Sequence, residues 1–306
     1  MTIRIALVGF GKIAKDEHLP AIRANPEFEL VAIVSHSQPT DVMCAYFPTL
    51  GKMIAALPGG IDAVAICTPP VPRFAIASEA IRAGIPVLFE KPPTATLGEL
   101  DELLELAATH NVPVHTAWHS QHAAGVAAAA QELAGEDVAS LSMLWREDVR
   151  KFHPGQQWIW EAGGFGVFDT GINGLSILTH ILDEPLLVRD ASLLFPAHKQ
   201  APISAEVNFH GQERKALMDW RGGDEEQWSV EVETRSGKSI LLTDGGARLA
   251  INGMPQQLSS HDEYRSIYRD FAQVVTLRYS KIDREPLRMV ADCFLLGERK
   301  TGTDFV

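Results

Sequence analysis

The hexapeptide Gly9-Phe10-Gly11-Lys12-Ile13-Ala14 follows a short apolar run, Ile3–Val8, and opens a helix-like stretch, Lys12–Asn25. In a GxGxxA turn so placed, the first glycine permits a tight reversal and the second lets the backbone approach a pyrophosphate. The small alanine lets the helix pack on the sheet, and the helix N-terminus faces the phosphates. The same spacing also occurs in ordinary strand–helix turns. Its position at the first strand of a βαβ series is what points to a dinucleotide. The second strand-like run, Leu30–Ser35, leads into His36-Ser37-Gln38. It has neither the acid that would bond a ribose 2′-OH nor an Arg for a 2′-phosphate, so Ser35 and His36 admit NAD or NADP.

Two further signatures follow in order. Cys67-Thr68-Pro69-Pro70 ends the run Ala63–Cys67, and Glu90-Lys91-Pro92-Pro93 closes Val87–Phe89. Both would sit at the carboxyl edge of a parallel sheet, where open α/β folds bind ligands. A lone Lys-Pro is more often an exposed loop. Here Pro92 would end strand pairing and fix the presentation of Lys91 above the glycine turn. Other chemistries lack their residues. Ser236-Gly237-Lys238-Ser239 has Val232 where a phosphate-binding loop needs glycine, HExxH and GxSxG are missing, and no Cys/His cluster has zinc spacing. No metal is expected.

These residues need elements to position them. The runs Ile3–Val8, Leu30–Ser35, Ala63–Cys67, Val87–Phe89 and Val112–Thr116 read as buried parallel strands. Helices over Lys12–Asn25, Arg73–Ala83 and Leu97–His110 alternate with them, and Gly84 suits a left-handed helix stop. That alternation predicts a doubly wound parallel sheet, a Rossmann domain. Further on come an Ala-rich helix (Gln121–Leu133), a strand near Ala139–Glu147 and an irregular Trp- and Gly-rich stretch. Strand-like segments separated by turn signals then run from Ala191 to Ile251, and helices resume at Tyr264–Tyr279 and Leu287–Gly297. The expected fold is α/β, with a dinucleotide-binding Rossmann domain over 1–120. An α+β domain over 121–306, built on a mostly antiparallel sheet, would follow it, with a C-terminal helix able to pack back on the first domain.

At 306 residues the chain is twice the ~150-residue size of one domain, in keeping with that division. Cys44, Cys67 and Cys293 are odd in number, widely spaced and form no CxxC, which suits a reducing compartment. The net charge of −12 opposes non-specific binding to nucleic acid or anionic membrane. No apolar run approaches the ~18 residues of a membrane span, and the N-terminal run is too short for a secretory signal. A cytoplasmic protein with a small-molecule substrate is expected, the meander sheet offering a face for a homodimer.

From the glycine turn through His18-Leu19-Pro20-Ala21 and Glu-Lys-Pro to Gly163-Gly164 and the Asp169 segment, nearly the whole chain resembles one family. It is the glucose–fructose oxidoreductase / inositol dehydrogenase (Gfo/Idh/MocA) family of NAD(P)-dependent sugar oxidoreductases. Within the family it looks most like the aldose 1-dehydrogenases acting on D-galactose or L-arabinose. The grounds are Gly11-Lys12-Ile13-Ala14, Glu90-Lys91-Pro92-Pro93-Thr94-Ala95-Thr96-Leu97, Trp118-His119-Ser120 and His153-Pro154-Gly155-Gln156-Gln157-Trp158-Ile159-Trp160. The resemblance implies a Rossmann domain followed by a substrate-binding domain on an open sheet, a sugar bound between the two against the nicotinamide, a Lys91 contact to it, and acid–base function in the Asp169 segment. Cofactor contacts are expected from Gly9, Phe10, Gly11, Lys12, Ile13, Ser35, His36, Cys67, Thr68, Pro69, Pro70, Glu90 and Lys91. One departure matters. Many relatives have His four residues after the Asp, but here Asn173 stands there, and an amide accepts no proton at neutral pH. Asn173 would orient a hydroxyl, leaving proton transfer to Asp169 or Lys91.

Positions four apart share a helix face, so Asp169 and Asn173 can converge on one ligand. Oxidising a hemiacetal at C1 to a lactone needs a hydride acceptor and a base for the O1 proton. Starting from pKa values near ~10.4 for lysine and ~3.9 for aspartate, either residue needs tuning by its surroundings. Asp169 is the favoured base, with Lys91 holding the hydroxyl and stabilising the alkoxide; the reverse assignment stands beside it. His119, Glu147, His153 and Trp158 or Trp160 are candidates for sugar contacts. Each has a plainer reading: tryptophans in the core, histidines satisfied within the fold, Glu147 paired with Arg150. Two other functions compete. Inositol-type oxidation of a secondary alcohol is disfavoured by Asn173, and a non-catalytic NAD(P)-dependent sugar sensor by the joint presence of Lys91 and Asp169.

Overall fold

A computed structural model describes residues 2–40, 42–222 and 226–305. The chain divides into two units, Met1–Trp118 with Tyr264–Asp283, and His119–Glu263 with Arg284–Val306.

In the first unit six parallel strands are β1 (Ile3–Val8), β2 (Phe28–Val34), β3 (Ala45–Phe47), β4 (Ala63–Ile66), β5 (Val87–Glu90) and β6 (Val114–Ala117). Their spatial order is β3-β2-β1-β4-β5-β6. Strands β4, β5 and β6 are buried throughout because helices cover both faces of the sheet. The strand order reverses at β1 and β4, β2 and β3 being added on one side and β4 to β6 on the other, and ligands bind at such a switch point. The glycine turn and Cys67-Thr68-Pro69-Pro70 both end there. Helix Leu97–His110 starts on a capping box, Thr96 with Glu99, and Gly84 takes φ +76° just past helix Pro70–Arg82. Prolines start that last helix three residues earlier than Arg73, since a first-turn residue needs no N–H partner.

The helix after the glycine turn is irregular. Residues Ala14–His18 form a π-helical turn, with the Leu19 N–H bonded to the Ala14 carbonyl, and Leu19–Ala24 continue as α-helix. Pro20 has no N–H and would crowd the carbonyl four residues back; the wider turn relieves that clash.

The single boundary expected at residue 120 is corrected. Helix Glu263–Leu277 buries Tyr264, Ile267, Tyr268, Phe271 and Val274 in the core formed by Ile3, Ile5, Leu7, Leu19 and Ile33. Residues 264–283 thus rejoin the first unit. The last helix, Glu285–Leu296, packs in the second against helix Phe168–Ile181.

The second unit carries nine strands: β7 (Val138–Arg146), β8 (Val188–Phe195), β9 (Ser204–Phe209), β10 (Arg214–Asp219), β11 (Gln227–Thr234), β12 (Ser239–Thr243), β13 (Arg248–Ile251), β14 (Met254–Pro255) and β15 (Gly297–Thr301). Their order is β14-β13-β12-β11-β7-β10-β9-β8-β15. Pairing is antiparallel except for β7 with β10 and β8 with β15. Helix Phe168–Ile181 lies on this sheet. A Cβ on Gly174 would come within 2.6 Å of Met143 Sδ and 2.7 Å of the Trp145 ring, and one on Gly171 would collide with Met218. The two glycines seat the helix, and with it Asp169 and Asn173. No helix among the described residues is long and apolar enough to cross a membrane.

Candidate active site

Gly9 has φ +88°, and a Cβ there would lie 2.9 Å from the Thr68 backbone nitrogen. Only glycine lets the end of β1 press against the loop after β4. Around Gly11 the space is open, with nothing within 4 Å of a Cβ position. That is the cradle a pyrophosphate requires. Phe10 and Ile13 pack on the core, while Lys12 is exposed and ion-paired with Asp16. Past β2, the Ser35 hydroxyl turns back to the Ser37 carbonyl at 2.5 Å and His36 is exposed. At the carboxyl ends of β4 and β6, Thr68 Oγ1 and Thr116 Oγ1 are buried without a hydrogen-bond partner among the described residues. Buried hydroxyls normally find one, so a polar ligand suits this edge.

Arg73 is buried, and its guanidinium donates to the carbonyls of Thr68, Glu90 and Pro92. One side chain therefore ties the Cys-Thr-Pro-Pro loop to the Glu-Lys-Pro loop. Within the latter, the Lys91 N–H donates to Glu90 Oε2 at 2.7 Å. Glu90 is buried and Lys91 half-buried.

In the second unit, Asp169 occupies the first turn of helix Phe168–Ile181, where the helix dipole favours a negative charge. It is 5% exposed, and Asn173 one turn later 9%. His153 Nε2 lies 3.8 Å from Asp169 Oδ2, and the His153 ring sits 5.2 Å from Trp220. The Trp220 Nε1–H donates to Glu147 Oε1 at 3.1 Å and to Thr170 Oγ1 at 2.8 Å. Trp228 donates to Glu147 Oε2 at 3.0 Å. The structure thus brings His153 to Asp169, and joins His153 and Glu147 through Trp220, with Asn173 one helical turn after Asp169.

Arg150 pairs with Asp148, so the plainer reading of Glu147 as its partner does not hold. Trp160 stands edge-on to Trp220 at 5.7 Å; Trp158 is half-buried on the same short turn, Gln157–Trp160. His119 is half-buried and meets Glu263 Oε2 at 2.6 Å. His153 also borders a cavity of about 550 Å³ lined by Arg150, Gln156, Trp160, Lys199 and Phe305. Trp220 and Trp228 were not anticipated from the sequence. Each follows or lies in a strand where an indole reads as core, and only strand register shows their N–H groups meeting one carboxylate. Among the described residues, no group of three or more His, Cys, Asp or Glu is arranged to hold a metal ion.

Residues 3–118 match the family model for an oxidoreductase family with an NAD-binding Rossmann fold. Over 302 residues the chain is 42% identical to galactose 1-dehydrogenase of Pseudomonas fluorescens, covering 97% of this chain and 96% of that protein. The chain belongs to the Gfo/Idh/MocA oxidoreductase family. As a family member it is an NAD(P)-dependent dehydrogenase, and its first unit is the Rossmann domain. The crystal structure of D-galactose-1-dehydrogenase from Rhizobium etli superposes with a TM-score of 0.93 at 42% identity, covering 100% of this chain and 98% of that one. The NADP complex of the 3-ketoreductase KijD10 from Actinomadura kijaniata shares the family fold, with a TM-score of 0.81 at 16% identity over 99% of this chain and 100% of that one.

Proposed function

We propose that the chain oxidises an aldopyranose of the D-galactose or L-arabinose type at C1 to the aldonolactone, using NAD or NADP. The observation that carries this reading is the 42% identity, along 97% of the chain, to a galactose 1-dehydrogenase. The buried polar cluster around Asp169 supports it.

Backbone N–H groups of residues 9–13 would hold the pyrophosphate, Ser35 and His36 the ribose beside it, and Thr68, Pro69 and Pro70 the far half. With no acid after β2, a 2′-phosphate meets no repelling charge there, and dual cofactor use follows. When bound, the nicotinamide supplies the hydride acceptor. The residues of this chain do the rest. Asp169 takes the O1 proton, and Lys91, held by Glu90 and Arg73, binds O1 and stabilises the developing alkoxide. Asn173 orients a neighbouring hydroxyl. Glu147, held by an indole N–H on each oxygen, accepts a sugar hydroxyl. His153, His119 and Trp158 complete the recognition set. The reading includes a cytoplasmic location, which suits three free cysteines, and a homodimer.

Absorbance of the reduced cofactor tests the reading. D-galactose or L-arabinose should reduce NAD or NADP rapidly, and methyl β-D-galactopyranoside, blocked at C1, should not. A response to myo-inositol alone would indicate a secondary-alcohol dehydrogenase, and binding without reduction a sensor.

A further inference from the structure

His18 opens the His18-Leu19-Pro20-Ala21 motif, to which the proposed function gives no task. Its side chain is wholly buried at the end of the π-helical turn Ala14–His18. Turns of that kind often mark functional positions. Nδ1 lies 2.8 Å from Tyr268 Oη, and Nε2 lies 3.1 Å from Glu90 Oε1. Tyr264 donates its hydroxyl to the same Glu90 oxygen at 2.5 Å. The other oxygen of Glu90 receives the Lys91 N–H. Tyr264 and Tyr268, four residues apart, present both hydroxyls from one helix face. A continuous chain of hydrogen bonds thus runs from the irregular first helix, through Glu90, to the backbone of Lys91. Burial works against a charge on His18, but its neighbours Cys67, Tyr268 and Glu90 hold its pKa well above 6.5. The imidazolium so favoured faces the Glu90 carboxylate.

We propose that His18 is a positioning residue for Lys91, acting through Glu90. With Tyr264 it fixes the Glu90 carboxylate in the orientation that receives the Lys91 N–H, and so fixes the backbone that carries the lysine. The Pro20-induced π turn is what places His18 in reach. This rests on the reading that Lys91 touches the substrate.

A double-mutant cycle on the full chain tests it, with Lys91→Met, His18→Leu and Tyr264→Phe. The readouts are kcat and KM for D-galactose and the dissociation constant of reduced cofactor by fluorescence. His18→Leu and Tyr264→Phe should each lower kcat by roughly 10-fold, the scale of a lost hydrogen bond to a charged group, with cofactor binding unchanged. In the Lys91→Met background each should cost less than about 2-fold, because coupled residues are non-additive. Equal losses in both backgrounds, or a loss of cofactor binding without a fall in kcat, would overturn the proposal. Wild-type kcat in Lys91→Met itself would instead sink the assignment of Lys91. If His18→Leu fails to fold, Tyr264→Phe, which removes one hydroxyl oxygen, carries the cycle alone.

Discussion

Asp169 combines burial with a helix first turn, so its carboxylate is shielded from water yet electrostatically welcome. If it is the base, Asp169→Asn keeps the shape and removes the proton acceptor. Steady-state kinetics should show kcat falling by at least roughly 100-fold, within the range of general-base catalysis, while fluorescence titration shows cofactor binding nearly intact. Wild-type turnover would contradict the assignment. Glu147 gives a second contrast. In Glu147→Gln an amide NH₂ confronts an indole N–H, leaving buried donors unpaired at a cost of about 1–3 kcal/mol. Thermal melts should therefore show a drop of several degrees, with a raised KM for the sugar, whereas Arg150→Ala at its exposed ion pair should leave the melt nearly unchanged. Asp169 and Glu147 were nameable from the sequence as candidates, through the family resemblance. The indole partners were not. They lie 73 and 81 positions from Glu147, and only the pairing of β10 and β11 with β7 brings them to it.

Helices and turns divide by how locally they are determined. The glycine turn could be read because its backbone demand is local: φ +88° at Gly9 and a neighbour 2.9 Å from any Cβ. Gly9→Ala should weaken cofactor binding by roughly 10-fold or more in a fluorescence titration, through a strained, displaced loop. Helix Leu97–His110 follows from a local run rich in Leu, Glu and Ala, and in the structure Thr96 and Glu99 cap its start. Thr96→Ala should lower stability by about 1 kcal/mol in urea titration, with activity retained. β3 and β15 escaped detection for a physical reason. β3 has three residues, and β15, Gly-Glu-Arg-Lys-Thr, is an exposed edge strand with no apolar pattern. The π turn also escaped, although Pro20 inside a helical stretch was its visible cause.

For the whole molecule, the acidity of −12 and the return of helix Glu263–Leu277 to the first unit are global properties of different kinds. The first is read directly from composition. It is no obstacle to a dinucleotide whose phosphates meet backbone N–H groups, nor to a neutral sugar. The second depends on a long-range contact that no local pattern announces. Stability should carry a pH signature from His115. Its Nδ1 meets the Lys281 carbonyl at 2.8 Å, its Nε2 is buried without a partner among the described residues, and burial pushes its pKa down to about 4. The unfolded chain takes that proton near 6.5 and the folded one only near 4. Stability should therefore fall as pH drops from 6.5 to 4, with about 3 kcal/mol from this group. Urea midpoints of wild type and His115→Gln should diverge in slope across that window; identical slopes would refute the attribution. The central claim is oxidation at C1, and D-galactose deuterated at C1 tests it most directly. The account predicts deuterium in the reduced nicotinamide and an unlabelled galactonolactone; deuterium retained in the oxidised sugar would contradict it.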